Sequence, residues 1–324
     1  MDFFSHFLIG IFIAIFALSS LGEDFVILAA VMAFLPDFDI FLEFFRSIRK
    51  SKLLTHKGVS HSFFSAFIIS AISGLIFSLI TGLSFILAWL VGFIFYSLHV
   101  VLDGLAASKI PLFYPFSKKR FRFFIDRAIN PYLALTSGII IIFYMIVYNI
   151  SPEIYYSNLT NYLLVFYLCY LAYRFLSRLW IQGRLPKNFM MIPGVLPFTY
   201  YVYENHNSDT KLSFKLTKNY QFSSKKIDIL QTEIPFNSEE MEFFELAKSL
   251  SENYIFFSKW EAVMPMIWNN EYWITVLLFL AESYASGSAY SFEVVFDKKS
   301  KRVIHKSDGF GYVLDKYNEI QKKH

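Results

Sequence analysis

Long apolar stretches dominate the first 180 residues, and short polar groups interrupt them at regular intervals. The runs cover about Phe3 to Leu21, Phe25 to Leu35, His61 to Ile80, Leu83 to Leu102, Tyr132 to Tyr148 and Tyr162 to Trp180. A helix needs roughly 20 residues to cross the hydrocarbon core, and four of these runs approach or reach that length. The second is cut short at Pro36, so it reads as a half-span or re-entrant piece that resumes through Ile40 to Phe45. The pattern predicts an all-α polytopic membrane domain with about four to six membrane-embedded helices.

From about Pro186 the pattern changes to short alternating segments, which predicts a small soluble α+β C-terminal domain. Thr199 to Tyr203, Leu212 to Leu216 and Ile227 to Leu230 are strand candidates, and Trp273 to Leu280 reads as a buried strand. Asn237 to Glu240, followed by Met241, Phe244, Leu246 and Leu250, reads as a capped amphipathic helix. Phe292 to Phe296 and Arg302 to His305 flank the turn residues Asp297 to Ser300 and read as a hairpin. The expected division is therefore 1–184 for the membrane domain and 185–324 for a cytoplasmic domain of open role.

A hydrophobic content of 55% with only 17% charged residues agrees with a membrane protein. The single Cys169 lies inside an apolar run, which excludes a disulfide framework and a CxxC metal motif. The charge is uneven: residues 1–190 hold 15 Lys and Arg against 9 Asp and Glu, and 191–324 hold 15 against 17. Basic residues mark alternate loops, at Arg46 to Lys57, Lys109 to Arg127 and Arg174 to Lys187, whereas the intervening turns lack them. The positive-inside rule then places the basic loops and both termini in the cytoplasm of a plasma-membrane protein. The N-terminal run has no basic leader or small-residue cleavage site and reads as a retained span. The basic surface suits anionic lipid and also nucleic acid, although ordinary topology determinants look the same.

Against this apolar background, His6, Asp37, Asp39, His56, His61, His99 and Asp103 stand at the ends of the first four runs. With a rise of 1.5 Å per residue, the climb from His6 to a turn near Gly22 and the descent to Asp37 are about 24 and 22 Å. From His61 to Thr81 and back from Leu83 to His99 the paths are about 30 and 24 Å, so all four ends reach one level. His99 and Asp103, four apart on a helix end, share a face. Asp37 and Asp39 flank Phe38 after a helix-breaking proline, where two close carboxylates repel unless a cation lies between them. Lys57-Gly58 can break the chain so that His56 comes from a loop and His61 from a helix start. Ser60 and Ser62 can cap that helix or support the histidines from behind.

Each piece alone has a plainer explanation. His6 can be a solvated helix end, the Asp pair a cap, and His99 with Asp103 an interhelical hydrogen bond. Seven such residues on one level favour a divalent-metal site of zinc, manganese or iron type, because neutral imidazoles and carboxylates are the donors those ions take. His206, His305 and His324 have no partner at ligand spacing and read as surface residues.

The order His6, Leu35-Pro-Asp-Phe-Asp39, His56-Lys-Gly-Val-Ser-His-Ser62 and His99-x-x-x-Asp103-Gly104 resembles the YdjM-like inner-membrane metal-dependent hydrolases. That family is distantly related to the zinc-dependent phospholipase C and single-strand nuclease superfamily. The resemblance covers about residues 1–130, and Lys57 stands where arginine is commoner. Pro111 to Phe116 is similar to the proline-containing segment that follows the HxxxDG block. The resemblance implies that the seven His and Asp residues ligate zinc ions, in a cluster of two or three, and that Asp37, Asp39, His61 and Asp103 are catalytic. It implies hydrolysis of a phosphoester by metal-activated water. A site at helix ends suits a phospholipid or lipid-linked phosphate, although a soluble nucleotide or nucleic acid strand can reach the same face, and Lys57, Lys118, Lys119 and Arg120 either hold phosphate oxygens or serve as topology determinants. Two other classes stay open. One is a transporter using the same residues for a metal ion or protons. The other is a membrane-anchored scaffold with a structural metal, whose tail recruits a cytosolic protein.

Overall fold

A computed structural model of the chain describes residues 3–41, 57–106, 109–127, 130–150, 158–254, 256–257 and 260–313. Contacts divide the chain into two units, Met1–Leu176 and Ser177–His324.

The first unit is built from helical hairpins. Helix α1 (Phe3–Leu18) ends in a 3-10 turn, Ser19–Leu21, and Gly22 reverses the chain into α2 (Glu23–Phe34). Gly22 has φ +110, which a residue with a Cβ adopts only under strain. Glu23 and Asp24 occupy the first turn of α2, where the exposed N–H groups favour negative charge. Helix α3 (Phe63–Thr81) and helix α4 (Phe85–Gly104) form a second hairpin. Ser62 caps α3, Gly82 closes it in the left-handed conformation, and Ser84 caps α4.

Small residues let these helices approach. A Cβ on Gly10 would stand 2.4 Å from the Ala33 Cβ, and one on Gly74 would stand 2.9 Å from the Trp89 backbone nitrogen. Ala29, Met32 and Ala33 of α2 then pack with Ala88, Val91, Phe95 and Val100 of α4 in one buried core. Because α2 meets both α1 and α4, the two hairpins lie side by side.

Helices α5 (Pro131–Ile150) and α6 (Asn158–Gln182) follow. Leu8, Ile9 and Phe12 of α1 share a second core with Leu133 and Tyr144 of α5 and with Leu164 and Tyr167 of α6. Between α4 and α5 the chain folds back on the end of α4. Ile110 and Phe121 form a bridge, Phe123 N donates to Gly104 O at 2.7 Å, and Ile125 N donates to Leu105 O at 2.8 Å.

Four helical stretches, Phe4–Leu21, Phe63–Thr81, Phe85–Gly104 and Asn158–Gln182, are long and apolar enough to cross a membrane. Helix α5 adds the apolar stretch Pro131–Val147. Phe16, Ile72, Leu79, Ile86, Ile94 and Ile142 point outward and are exposed. Helices that are apolar all round are expected in lipid, where outward apolar faces carry no cost. Leu35–Phe41, which spans the expected break at Pro36 and the start of the resumption at Ile40, is a 3-10 turn running directly on from α2. Residues 42–56, with His56, lie outside the described residues.

The second unit is α+β, with two four-stranded antiparallel sheets, each in simple sequence order. Strands β1 (Phe189–Pro193), β2 (Thr199–Asn207), β3 (Lys211–Tyr220) and β4 (Ser223–Pro235) form the first. Strands β5 (Val263–Asn269), β6 (Trp273–Leu280), β7 (Ser288–Asp297) and β8 (Val303–Tyr312) form the second. Helix α7 (Glu239–Ser251), capped by Ser238, sets Phe244 against Phe214 of the first sheet and Phe243 against Phe296 of the second. The expected strands, helix and hairpin are all present. Strands β1 and β5 escaped the pattern because each carries methionines and a proline in place of a β-branched run. His206 and His305 are exposed, and His324 lies outside the described residues.

Candidate metal centre

The two hairpins deliver their polar ends to one place. His6 comes from the first turns of α1, Asp37 and Asp39 from the 3-10 turn after α2, His61 from a 3-10 turn before α3, and His99 and Asp103 from the end of α4. His6, His61, His99 and Asp103 are fully buried, while the Asp37 side chain keeps 13% of its surface open.

One ligand atom from each of Asp37, His61, His99 and Asp103 lies within 4.8 Å of the others, a spacing that can hold a metal ion. His61 Nε2 stands 3.1 Å from Asp103 Oδ2 and 3.7 Å from Asp37 Oδ1, and His99 Nε2 stands 3.4 Å from Asp37 Oδ1. His6 lies alongside, with Nδ1 3.7 Å from Asp37 Oδ2 and Nε2 3.4 Å from Asp103 Oδ1. Its ring is 4.2 Å from that of His99. These contacts are too long or misaligned for hydrogen bonds: the two nitrogens of His6 and His99 Nε2 are buried without making one. Such atoms are costly unless something occupies the space they face, and a divalent ion meets that need.

The hydrogen bonds behind the rings also fit an ion. His99 Nδ1 lies 2.8 Å from Ala33 O, and a carbonyl accepts only, so Nδ1 holds the proton and Nε2 presents its lone pair. His61 Nδ1 faces Asp39 Oδ2 at 3.1 Å, again leaving Nε2 toward the centre. Backing a ligand histidine with a carboxylate or carbonyl fixes its tautomer and raises its basicity.

Asp39 is thus placed behind His61. Its Oδ2 also accepts from Lys57 N at 2.9 Å and from the Ser60 hydroxyl. Tyr96 OH donates to Ser60 O at 2.9 Å and holds this turn from α4. Tyr96 was not foreseen as part of the site, although its spacing of three and seven from His99 and Asp103 puts it on their face.

Of the four basic residues expected near substrate, Lys57 is brought to the cluster, its Nζ 2.9 Å from Asp103 Oδ1. Lys118 and Lys119 are exposed, Arg120 is half-buried, and Lys119 lies over the Phe121 ring.

Without an ion the cluster is electrostatically loaded. Burial disfavours a charged His61, but the neighbouring Asp103, Asp37 and Asp39 carboxylates outweigh it and push the imidazole up to about 10. Burial likewise disfavours the Asp37 carboxylate, yet the His6, His61 and His99 rings facing it hold it well below the ordinary range.

A helical membrane unit with a buried His and Asp cluster at the ends of its helices defines a membrane protein with a candidate metal centre. A family model described as YdjM inner membrane protein matches residues 1–181, and the chain belongs to that family. No curated protein and no solved structure matches the chain.

Proposed function

We propose that the cluster binds a divalent ion, of zinc or a similar metal, and that the protein is a membrane-bound hydrolase of phosphoesters. The observation that carries this reading is the convergence of Asp37, His61, His99 and Asp103 with both histidine Nε2 atoms turned inward. An ion held there supplies Lewis acidity toward a phosphoryl oxygen and makes water a stronger nucleophile. The residues of the chain do the rest. Asp39 and the Ala33 carbonyl hold the two rings in orientation. Asp37, the ligand with an open edge, marks the side from which substrate arrives. Burial of His61, His99 and Asp103 excludes bulk water and strengthens every charge interaction in the centre.

A site at the ends of membrane helices lies at headgroup depth, so the favoured substrate is a phospholipid or lipid-linked phosphate. The positive-inside rule, applied to the basic loops, supports a cytoplasmic position for that face and for both termini. Lys118, Lys119 and Arg120 are then available to anionic headgroups, and the second unit to a cytosolic protein.

The test is elemental analysis of detergent-purified wild type beside the His61→Ala and Asp103→Ala variants, followed by hydrolysis assays on phospholipid vesicles and a soluble phosphodiester. We expect stoichiometric metal and hydrolysis in the wild type and neither in the variants. Full hydrolysis by metal-free variants would sink the mechanism. Metal flux into liposomes without hydrolysis would transfer the site to a transporter.

A further inference from the structure

We infer that Lys57 is a built-in cation of the metal centre, taking the place a second ion would fill, so that the cluster holds one divalent ion. This rests on the metal reading above and goes beyond it in naming the stoichiometry and the residue that sets it.

The first observation is size. Ligand atoms on one ion stand roughly 2.0–2.4 Å from it, so two of them are at most about 4.8 Å apart. The four converging atoms lie within 4.8 Å of one another. All four can therefore share a single ion.

The second observation is charge. Asp37, Asp39 and Asp103 bring three negative charges to the described cluster, and Lys57 returns one. The remaining two match one divalent ion when the histidines are neutral. A second ion would leave the buried centre with a net positive charge, which burial penalises.

The third observation is placement. Lys57 is buried, with its ammonium 2.9 Å from Asp103 Oδ1 and its peptide N–H 2.9 Å from Asp39 Oδ2. One residue therefore clamps two carboxylates from different elements. Asp103 Oδ2 faces His61, while Oδ1 takes the lysine and also lies 3.4 Å from His6 Nε2. Lys57 has φ +61, a conformation lysine seldom takes, and surroundings that enforce it are often functional. A lysine is a compact point charge, closer in kind to an ion than the forked guanidinium of arginine.

The experiment loads the detergent-purified full-length protein with Mn2+ and reads ion number by elemental analysis, affinity by titration, and electron paramagnetic resonance. Wild type and Lys57→Arg are expected to hold one ion per chain with an uncoupled manganese signal. Lys57→Met, which removes the competing positive charge, is expected to take a second ion or to bind the first at least tenfold more tightly. Two coupled ions in the wild type would overturn this inference while leaving the metal reading intact. So would a Lys57→Met variant that matches the wild type in number and affinity, or binds more weakly. If that variant does not fold, the wild-type stoichiometry and spectrum decide. No bound ion in the wild type would overturn the metal reading and this inference together.

Discussion

At the scale of single residues, the centre separates side chains that face the shared space from those that hold them. Asp39 touches His61 Nδ1 and lies behind the ring, so Asp39→Asn should leave the fold in place and weaken zinc binding by about 10–100-fold. Competition with a chelating dye measures this, and unchanged affinity would remove Asp39 from its supporting role. The protonation of His61 gives a second prediction. Its folded value of about 10 lies above the ordinary 6.5, so its contribution to the stability of the metal-free protein is fully present below 6.5 and is lost as pH rises through 10. Asp37 has the opposite sign: its contribution is present above 3.8 and is lost as pH falls. Thermal unfolding of chelator-treated protein should therefore show greatest stability between about pH 4 and 6.5. Zinc affinity should rise from pH 6 toward 9, because the ion displaces the His61 proton. An affinity independent of pH would show that His61 enters the complex without losing a proton.

At the scale of elements, the site depends on how closely the helices approach. The contact between Gly10 and Ala33 draws α1 against α2 and so sets His6 beside Asp37. Gly10→Leu should push these helices apart, cost about 1–3 kcal/mol, and lower metal affinity along with the unfolding temperature. Loss of stability with undisturbed metal binding would detach His6 from the centre. A second buried group fastens the chain between α4 and α5 to α6. Asp126 pairs with Arg174, accepts from Tyr170 OH at 2.7 Å, and lies within 3.4 Å of Asn130 Nδ2. Arg174→Ala would leave that carboxylate buried without its cation and should cost about 3–5 kcal/mol. Thermal unfolding in detergent reads the loss, and the double variant Arg174→Met with Asp126→Asn should recover part of it. Neither contact was legible in the sequence. Gly10 sits in an unbroken apolar run, and Asp126 and Arg174, 48 residues apart, have no periodic signal linking them.

For the whole molecule, the basic loops and the helical hairpins make a joint statement about orientation. Thr81 is exposed at the turn between α3 and α4, at the end of the hairpin away from the cluster, and Lys119 is exposed in the chain after α4. In a Cys169→Ser background, an impermeant maleimide applied to intact cells should label Thr81→Cys and spare Lys119→Cys. The reverse result would invert the membrane domain and put the candidate metal centre on the outer face.

The sequence by itself determined the apolar helices, the change to a sheet-forming tail, and the level at which the polar residues end. These follow from local periodicity and from a fixed rise per residue, which need no knowledge of neighbours. It also singled out the His and Asp residues of the cluster, because charge in an apolar run is rare without a partner. Only the tertiary structure decided how those residues divide the work. Asp37 and Asp39 are two positions apart, yet one turns toward His99 and the other stands behind His61. Lys57 reads as a loop cation until its ammonium is found on Asp103, 46 residues away. Such distinctions rest on distances of a few ångströms between separate helices, and helix packing sets these, not spacing along the chain.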